Sequence, residues 1–299
     1  MAKQFDWGAM EWFLAIARSG RLTVAAQKLG IDHTTLSRRI KQLEETLDTR
    51  LFERSVTGYT LTPQGERFLE AAQGAETIAL QAANDISGET SKIAGTIRIG
   101  GPEGFGSSFM APSLVKLGQK QPGLKLELVT MPRRFSLTKR EADMAVSLAR
   151  PEKGRFHAHK LTDYELGLYG TAEYFDRFGQ PETRADLRDH RIIGYVQDLI
   201  YARELDYIPQ ISKDIVPWIT SSNLLAQMNM TIAGAGLCIL PKFIAATDPR
   251  LIRTMAGEVR LIRSFWLIVH ADLRDLARIR YCSDFLTQEV RAARALFLS

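Results

Sequence analysis

The sequence predicts an α/β protein made of a small helical N-terminal domain, a long connecting helix and a larger domain of alternating strands and helices. Three observations carry this prediction. Residues 1–61 hold three short helical patterns followed by two strand-like runs. Residues 62–92 hold one helical pattern of about 25 residues, longer than most globular helices. From "TIRIGG" (96–101) onward, short apolar runs alternate with amphipathic stretches, the pattern of a largely parallel, doubly wound sheet.

Each element has a local reason. Met10, Phe13, Leu14 and Ala17 follow helical spacing, and "SGRL" breaks that helix. Thr23 suits an N-cap for a second helix, "VAAQKL", which Gly30 ends. Asp32 suits the N-cap of a third helix that continues to about Leu47. "LFER" and "YTL" flank residues 55–58 as a β-hairpin. Thr62 and Pro63 are a cap and a first helical residue for the long helix. Along it Phe68, Ala72, Ala75, Ala79, Ala82 and Ile86 alternate by four and three residues. Such a seam fits a helix that pairs with another copy, or one face of an ordinary buried helix. "GETSKIAG" (88–95) reads as a linker. The third segment then offers "TIRIGG", "LKLELV", "ADMAVSLA", "ELGLYG", "RIIGY", "LCILP" and "FWLIVH" as strands. Helices are expected over "FMAPSLVKLGQK" and from about Leu224 to Ala233.

Composition bounds the function. Hydrophobic residues make up 45% of the 299, enough for real cores, and the net charge of +5 is too small to signal nucleic acid by itself. Its distribution says more. Residues 18–41 carry six basic side chains (Arg18, Arg21, Lys28, Arg38, Arg39, Lys41) against one acidic, Asp32, so six minus one equals the excess of the whole chain. Cys238 and Cys282 are far apart and form no metal or redox motif; Cys238, within "GLCILP", reads as a small buried residue. The N-terminus lacks the apolar stretch of a signal peptide, and no run approaches the length of a membrane span, so a cytoplasmic protein is expected.

The third helix holds the sharpest signal. Leu36, Ile40, Leu43 and Leu47 recur at four, three and four residues and must face a core. Thr34, Ser37, Arg38 and Lys41 then share an outward face. Arginine can clamp a phosphate or donate two parallel bonds to guanine, and short hydroxyls approach backbone or base edges closely. A short helix, a tight turn and a second amphipathic helix make a helix-turn-helix. The pattern alone leaves two readings, a DNA-reading surface or a solvated basic face.

Residues 12–69, "WFLAIARSGRLTVAAQKLGIDHTTLSRRIKQLEETLDTRLFERSVTGYTLTPQGERFL", resemble the winged helix-turn-helix of LysR-type transcriptional regulators. The matching marks are Ala25–Ala26, Ser37 with Arg38, Leu43–Glu44, Leu51–Phe52–Glu53–Arg54, Leu61–Thr62 and Gly65. "GTIRIGG", "READMAVSL" and "AGAGLCILP" match landmarks of the family's effector domain more loosely. The resemblance implies a winged helix-turn-helix over 1–61, a linker and dimerisation helix over 62–92, and a two-lobed, periplasmic-binding-protein-like effector domain over 93–299. Lobe I would take about 93–163 and 268–299, and lobe II about 164–267. It implies a homodimer or homotetramer on an interrupted palindrome of double-stranded DNA, a small-molecule effector, and RNA polymerase as a further partner. Carried across position by position, the DNA contacts are His33, Thr34, Ser37 and Arg38, with Arg54 near the wing. Thr23 is a phosphate contact at the start of the second helix, and Arg39 and Lys41 go to phosphates by charge and position. The chain departs from the family at Asp32, His33 and Thr34, where Ser-Gln-Pro is common. A carboxylate there stands near phosphates unless helix N–H groups occupy it.

Between such lobes, ligands sit beyond the carboxyl ends of strands. That places Gly101, Pro102, Glu103 and Gly104 first, then Ser147 with Leu148, and Tyr195 with Val196. Thr220, Ser221, Ser222 and Asn223 precede a helix and suit either an anion or a cap. Glu103, if it faces the cleft, disfavours an acidic effector and favours a cationic or polyhydroxyl one; Arg133 and Arg134 read as solvated charge.

An enzyme is not expected. "GGPEGFG" follows a strand, but its glycines do not fit GxGxxG. There is no Walker motif and no GxSxG. His157 and His159 share a strand face without a cysteine or acidic partner and read as surface residues. No cofactor and no metal are expected. A simple nucleoid binder would not need some 200 residues of α/β domain.

Overall fold

The computed structural model describes residues 6–55, 58–86, 93–130, 142–151 and 154–298. The chain divides into two compact units, the first ending at Ser91 and the second beginning at Lys92.

The first unit opens with α1 (Gly8–Ser19), α2 (Leu22–Leu29) and α3 (His33–Thr46). Gly20 and Gly30 end the first two helices in the left-handed conformation that glycine adopts without strain. Asp32 caps α3 by accepting from the Thr34 N–H, as its position predicts. Thr23 is not a cap. The α1–α2 turn ends two residues sooner, extended Arg21 holds the N-cap position, and Thr23 stands exposed in the first helical turn. The hairpin follows as β1 (Phe52–Ser55) and β2 (Gly58–Leu61), antiparallel with Arg54 opposite Tyr59. Gly58 has φ +136° and its backbone lies against the Gly20 carbonyl, so a side chain fits neither the conformation nor the space. The long helix is α4 (Pro63–Ile86). The Thr62 hydroxyl accepts from the Gly65 N–H at 2.9 Å and donates to the Arg50 carbonyl at 2.7 Å, which ties the helix start to the segment before β1.

One core serves all these elements. Phe13, Ile16, Leu36 and Ile40 are fully buried, and Phe13 lies against Phe52 and Phe68 with ring centres 5.1 and 4.8 Å apart. Phe68 and Ala72, the first members of the sequence seam, pack into this core with Leu69, so they belong to an ordinary buried face. Ala75 is half-buried and Ala79 exposed; the Ala82 and Ile86 side chains, residues 88–92 of the linker, and Arg133 and Arg134 lie outside the described residues.

The second unit begins with β3 (Gly95–Gly101), one turn of helix α5 (Glu103–Phe105), a π-turn (Gly106–Met110) and α6 (Ala111–Lys120). β4 (Leu124–Thr130), β5 (Met144–Ser147) and the long β6 (Phe156–Gly170) follow. Then come α7 (Ala172–Phe178), β7 (Ile192–Gly194), α8 (Ile208–Ile211), β8 (Ile219–Thr220) and α9 (Leu224–Ile232). The unit closes with β9 (Leu237–Pro241), α10 (Lys242–Ala245), β10 (Ile252–Thr254), β11 (Leu261–His270), α11 (Ala277–Ala292) and α12 (Arg294–Phe297).

Strand order is β4-β3-β5-β11-β6-β9-β7-β8, with β10 on β6. At one end β4, β3 and β5 are parallel; at the other β9, β7 and β8 are parallel. The centre is antiparallel, because β6 and β11 pair with each other over most of their length and with β9 and β5 respectively. The expectation of a largely parallel sheet therefore holds only at the two ends. β6 and β11 are the crossing strands that join two α/β lobes, and their register shifts between Phe265 and Trp266. Glu165, on β6, is buried between Arg253 at 2.5 Å and Arg260 at 3.1 Å, and these two cations outweigh burial to hold its carboxyl below the ordinary range.

Candidate functional site: a DNA-reading face and an interlobe cleft

The outward face of α3 is built by the burial of the other side. With Leu36, Ile40 and Leu43 in the core, 100° per residue turns Thr34, Arg38 and Lys41 to solvent. Arg38 and Lys41 are exposed, and Ser37 is half-buried at the edge of the face. Glu45 stands at its far end, 3.8 Å from Lys41. Arg39 lies on a different side, with its guanidinium 4.9 Å from the ring centre of Trp12 in α1.

The unusual start of α3 resolves into a small network. The Asp32 carboxylate accepts from both the hydroxyl and the N–H of Thr34, and these bonds, the hydroxyl first, hold its pKa below the ordinary value. The carboxylate is thus committed to the helix, and the Thr34 hydroxyl hydrogen with it, which leaves the Thr34 methyl and lone pairs for a partner. His33 stands exposed with Nδ1 3.5 Å from Asp32.

Glu44 explains the wing. Its Oε1 accepts from the N–H groups of Leu51 and Phe52 at 2.8 and 3.1 Å, and its other oxygen is 3.6 Å from Arg54. Arg54 also lies over the Tyr59 ring at 5.5 Å. Sequence reasoning marks Glu44 as a family residue and does not reveal this work, since its partners come seven and eight residues later.

In the second unit the carboxyl end of β3 meets the start of α9. Glu103 accepts a hydrogen bond from the Leu224 N–H at 3.0 Å, across 121 residues of sequence. Gly104 leaves no room for a Cβ, which would stand 2.7 Å from both Leu224 and Ile244. A cleft opens beside this contact. Its empty volume, mouth included, is about 510 Å³.

Of the residues expected there, Pro102, Glu103, Gly104, Leu148, Tyr195 and Ser222 face the cleft. Gly101, Ser147, Ser221 and Asn223 do not. Gly101 is buried at the strand end against Met110. Ser147 accepts from the Ala149 N–H within its own turn. Ser221 accepts from the Asn223 N–H, and Asn223 caps α9 through Ala226 at 2.7 Å. Tyr164, Tyr201 and Tyr207 complete the wall. They come from β6 and the β7–α8 segment, and no motif announces them. Burial pushes the phenols up, Tyr201 to about 12 with the Glu103 charge assisting, so all are protonated at neutral pH. Both cysteines are buried thiols pushed up to about 12 by burial. His157 and His159 are exposed. Among the described residues no cluster of ligands suits a metal ion, and no helix is long and apolar enough to cross a membrane.

A winged helix-turn-helix with an exposed basic face, together with a two-lobed α/β domain, defines a class of DNA-binding transcription regulators. The family models for the "Bacterial regulatory helix-turn-helix protein, lysR family" and the "LysR substrate binding domain" match residues 7–66 and 90–291, and the chain belongs to the LysR-type family. It is 30% identical over 289 residues to the transcriptional activator TtdR of Escherichia coli K12, covering 93% of this chain and 91% of that one. It is 24% identical to the regulator CrgA of Neisseria meningitidis over 284 residues, 93% of this chain and 95% of that one. The fold is shared with a full-length OxyR variant from Pseudomonas aeruginosa (TM-score 0.72, 18% identity, 96% of this chain and 98% of that one). It is shared also with ArgP from Mycobacterium tuberculosis (TM-score 0.72, 17% identity, 96% and 97%).

Proposed function

We propose that this LysR-type regulator reads an interrupted palindrome with one α3 per half-site and that a small molecule bound between its lobes controls it. The observation that carries the first part is the shared outward face of Thr34, Arg38 and Lys41, opposite a fully buried row, on the second helix of a helix-turn-helix. Arg38 and Ser37 reach base edges, with His33 and the Thr34 methyl beside them. Lys41, Thr23 and Arg54 contact phosphates. Arg39, stacked on Trp12, reaches a phosphate only from the edge of the face. Asp32 costs little repulsion because Thr34 satisfies it. The effector site is the cleft at Glu103, Leu148, Tyr195 and Ser222. The active species is a homodimer or homotetramer joined through α4, it acts in the cytoplasm with RNA polymerase as a further partner, and it catalyses no reaction.

A footprint of the purified chain on the DNA upstream of its own gene tests this reading. Two protected half-sites separated by whole helical turns, whose contacts shift with a small molecule, are expected. A single unpaired site, or turnover of substrate with indifference to DNA, overturns it.

A further inference from the structure

The chemistry of the cleft says which kind of molecule it receives, provided that the cleft is the effector site. The start of a helix ordinarily suits an anion. Here α9 has committed two of its first three N–H groups to the protein's own acceptors. Glu103 takes Leu224 and Asn223 takes Ala226. No lysine, arginine or histidine lines the cleft among the described residues. Arg263 is near enough to act on the Tyr164 hydroxyl, but it stands off the wall and bonds Gln210 at 2.7 Å. An acidic ligand would therefore meet a carboxylate and no cation.

The negative side is better furnished. Glu103 is on the wall, and Tyr164, Tyr195, Tyr201 and Tyr207 line the same space. Glu204, like Arg263, stands off the wall, and its charge reaches the Tyr164 hydroxyl. Its side chain is only 13% exposed, Arg203 takes one oxygen at 3.2 Å, and the buried Oε2 has no hydrogen-bond partner among the described residues. A buried carboxylate oxygen without a donor is costly, and a cation brought near relieves it. Aromatic faces beside a carboxylate are the recurring way to hold an ammonium group.

We propose that the cleft takes a small organic ammonium ion, held by Glu103 and the tyrosine faces. The space as it stands fits the ammonium head, with the remainder leaving through the mouth. Binding also has a consequence for the lobes. The ammonium and the Leu224 N–H compete for one carboxylate, so the ligand loosens the tie between the β3 end of lobe I and α9 of lobe II.

Calorimetric titration of the full chain with n-butylamine, n-butanol and butyrate, equal in length and different in charge, tests this. Butylammonium is expected to bind at least about tenfold more tightly than the other two. Glu103→Gln keeps an acceptor for Leu224 and removes the charge, so it should lose that preference while the melting temperature holds. Tyr201→Leu removes one ring and should weaken the amine alone, and it decides the matter if the first variant fails to fold. Equal or tighter binding of butyrate or butanol, or amine binding indifferent to both substitutions, overturns the ammonium inference and leaves the cleft as an effector site. Heat with none of the three overturns both.

Discussion

Truncating Glu44 to alanine should release the wing from the recognition helix. The carboxylate holds the Leu51 and Phe52 N–H groups at 2.8 and 3.1 Å, and its side chain is only 12% exposed, so solvent screens these bonds little. A hydrogen bond to a charged group contributes about 1.5–3 kcal/mol, and orphaning a buried donor costs about 1–3 kcal/mol. Water entering the space left by the side chain recovers part of this. The expected loss is about 2–4 kcal/mol in the opening free energy of the segment from Leu51 to Leu61. Glu44→Gln, which keeps one acceptor, should lose about half as much. Hydrogen exchange of the full chain, followed in peptides covering Leu51 and Phe52, measures this directly. Because Arg54 leans on the same carboxylate at 3.6 Å, DNA affinity should fall alongside. A change below about 0.5 kcal/mol at these amides in Glu44→Ala would refute the reasoning, since each donor would then have found another partner.

Other outcomes follow from the same geometry. Arg38→Ala should weaken specific DNA binding by about 1–3 kcal/mol in fluorescence anisotropy, and undiminished affinity removes Arg38 from the interface. Lys41→Ala should lower the slope of log affinity against log salt by about 1, with little change in sequence preference. Ile40→Asp places a charge at a fully buried position and should unfold the first unit, read as loss of amide protection in α1 to α3 while the second unit stays protected. Asp32 has a folded pKa below its ordinary value of 3.8, so its capping is fully present above that value and is lost as pH falls through the lower, folded one. Amide protection at the start of α3 should therefore stay flat from pH 7 to about 5 and drop only in strong acid. Asp32→Asn, an equally good cap, should abolish that dependence, and a drop that persists in that variant would remove Asp32 as its cause.

Local features of this chain were legible because their causes are local. Gly30, Asp32 and Thr62 mark helix ends by what their own backbone and side chains do within three residues. The spacing of Leu36, Ile40 and Leu43 was enough to orient α3, since burying one side of a helix exposes the other. Thr23 escaped the same logic, because the exact residue at which α2 begins depends on how Gly20 packs under the wing. Phe68 and Ala72 look the same in sequence whether they meet a second chain or their own domain, and only the packed core separates the two.

What only the tertiary structure decided lies where distant segments converge. The order of strands did not reveal that β6 and β11 would run antiparallel through the middle, because strand direction depends on how far apart in sequence neighbours are drawn. Ser221 and Asn223 have the chemistry of a ligand site and of a cap alike, and the position of Ala226 chose the cap. Glu103 reads as a free carboxylate at a strand end until α9, 121 residues on, brings the Leu224 N–H to it. The tyrosine wall is assembled from residues 164, 195, 201 and 207 with no shared motif. The sequence by itself determined the family, the amphipathic third helix and the ends marked by Gly30, Asp32 and Thr62, because these rest on interactions a few residues long. The cleft and its charge rest on contacts that exist only once the two lobes have formed.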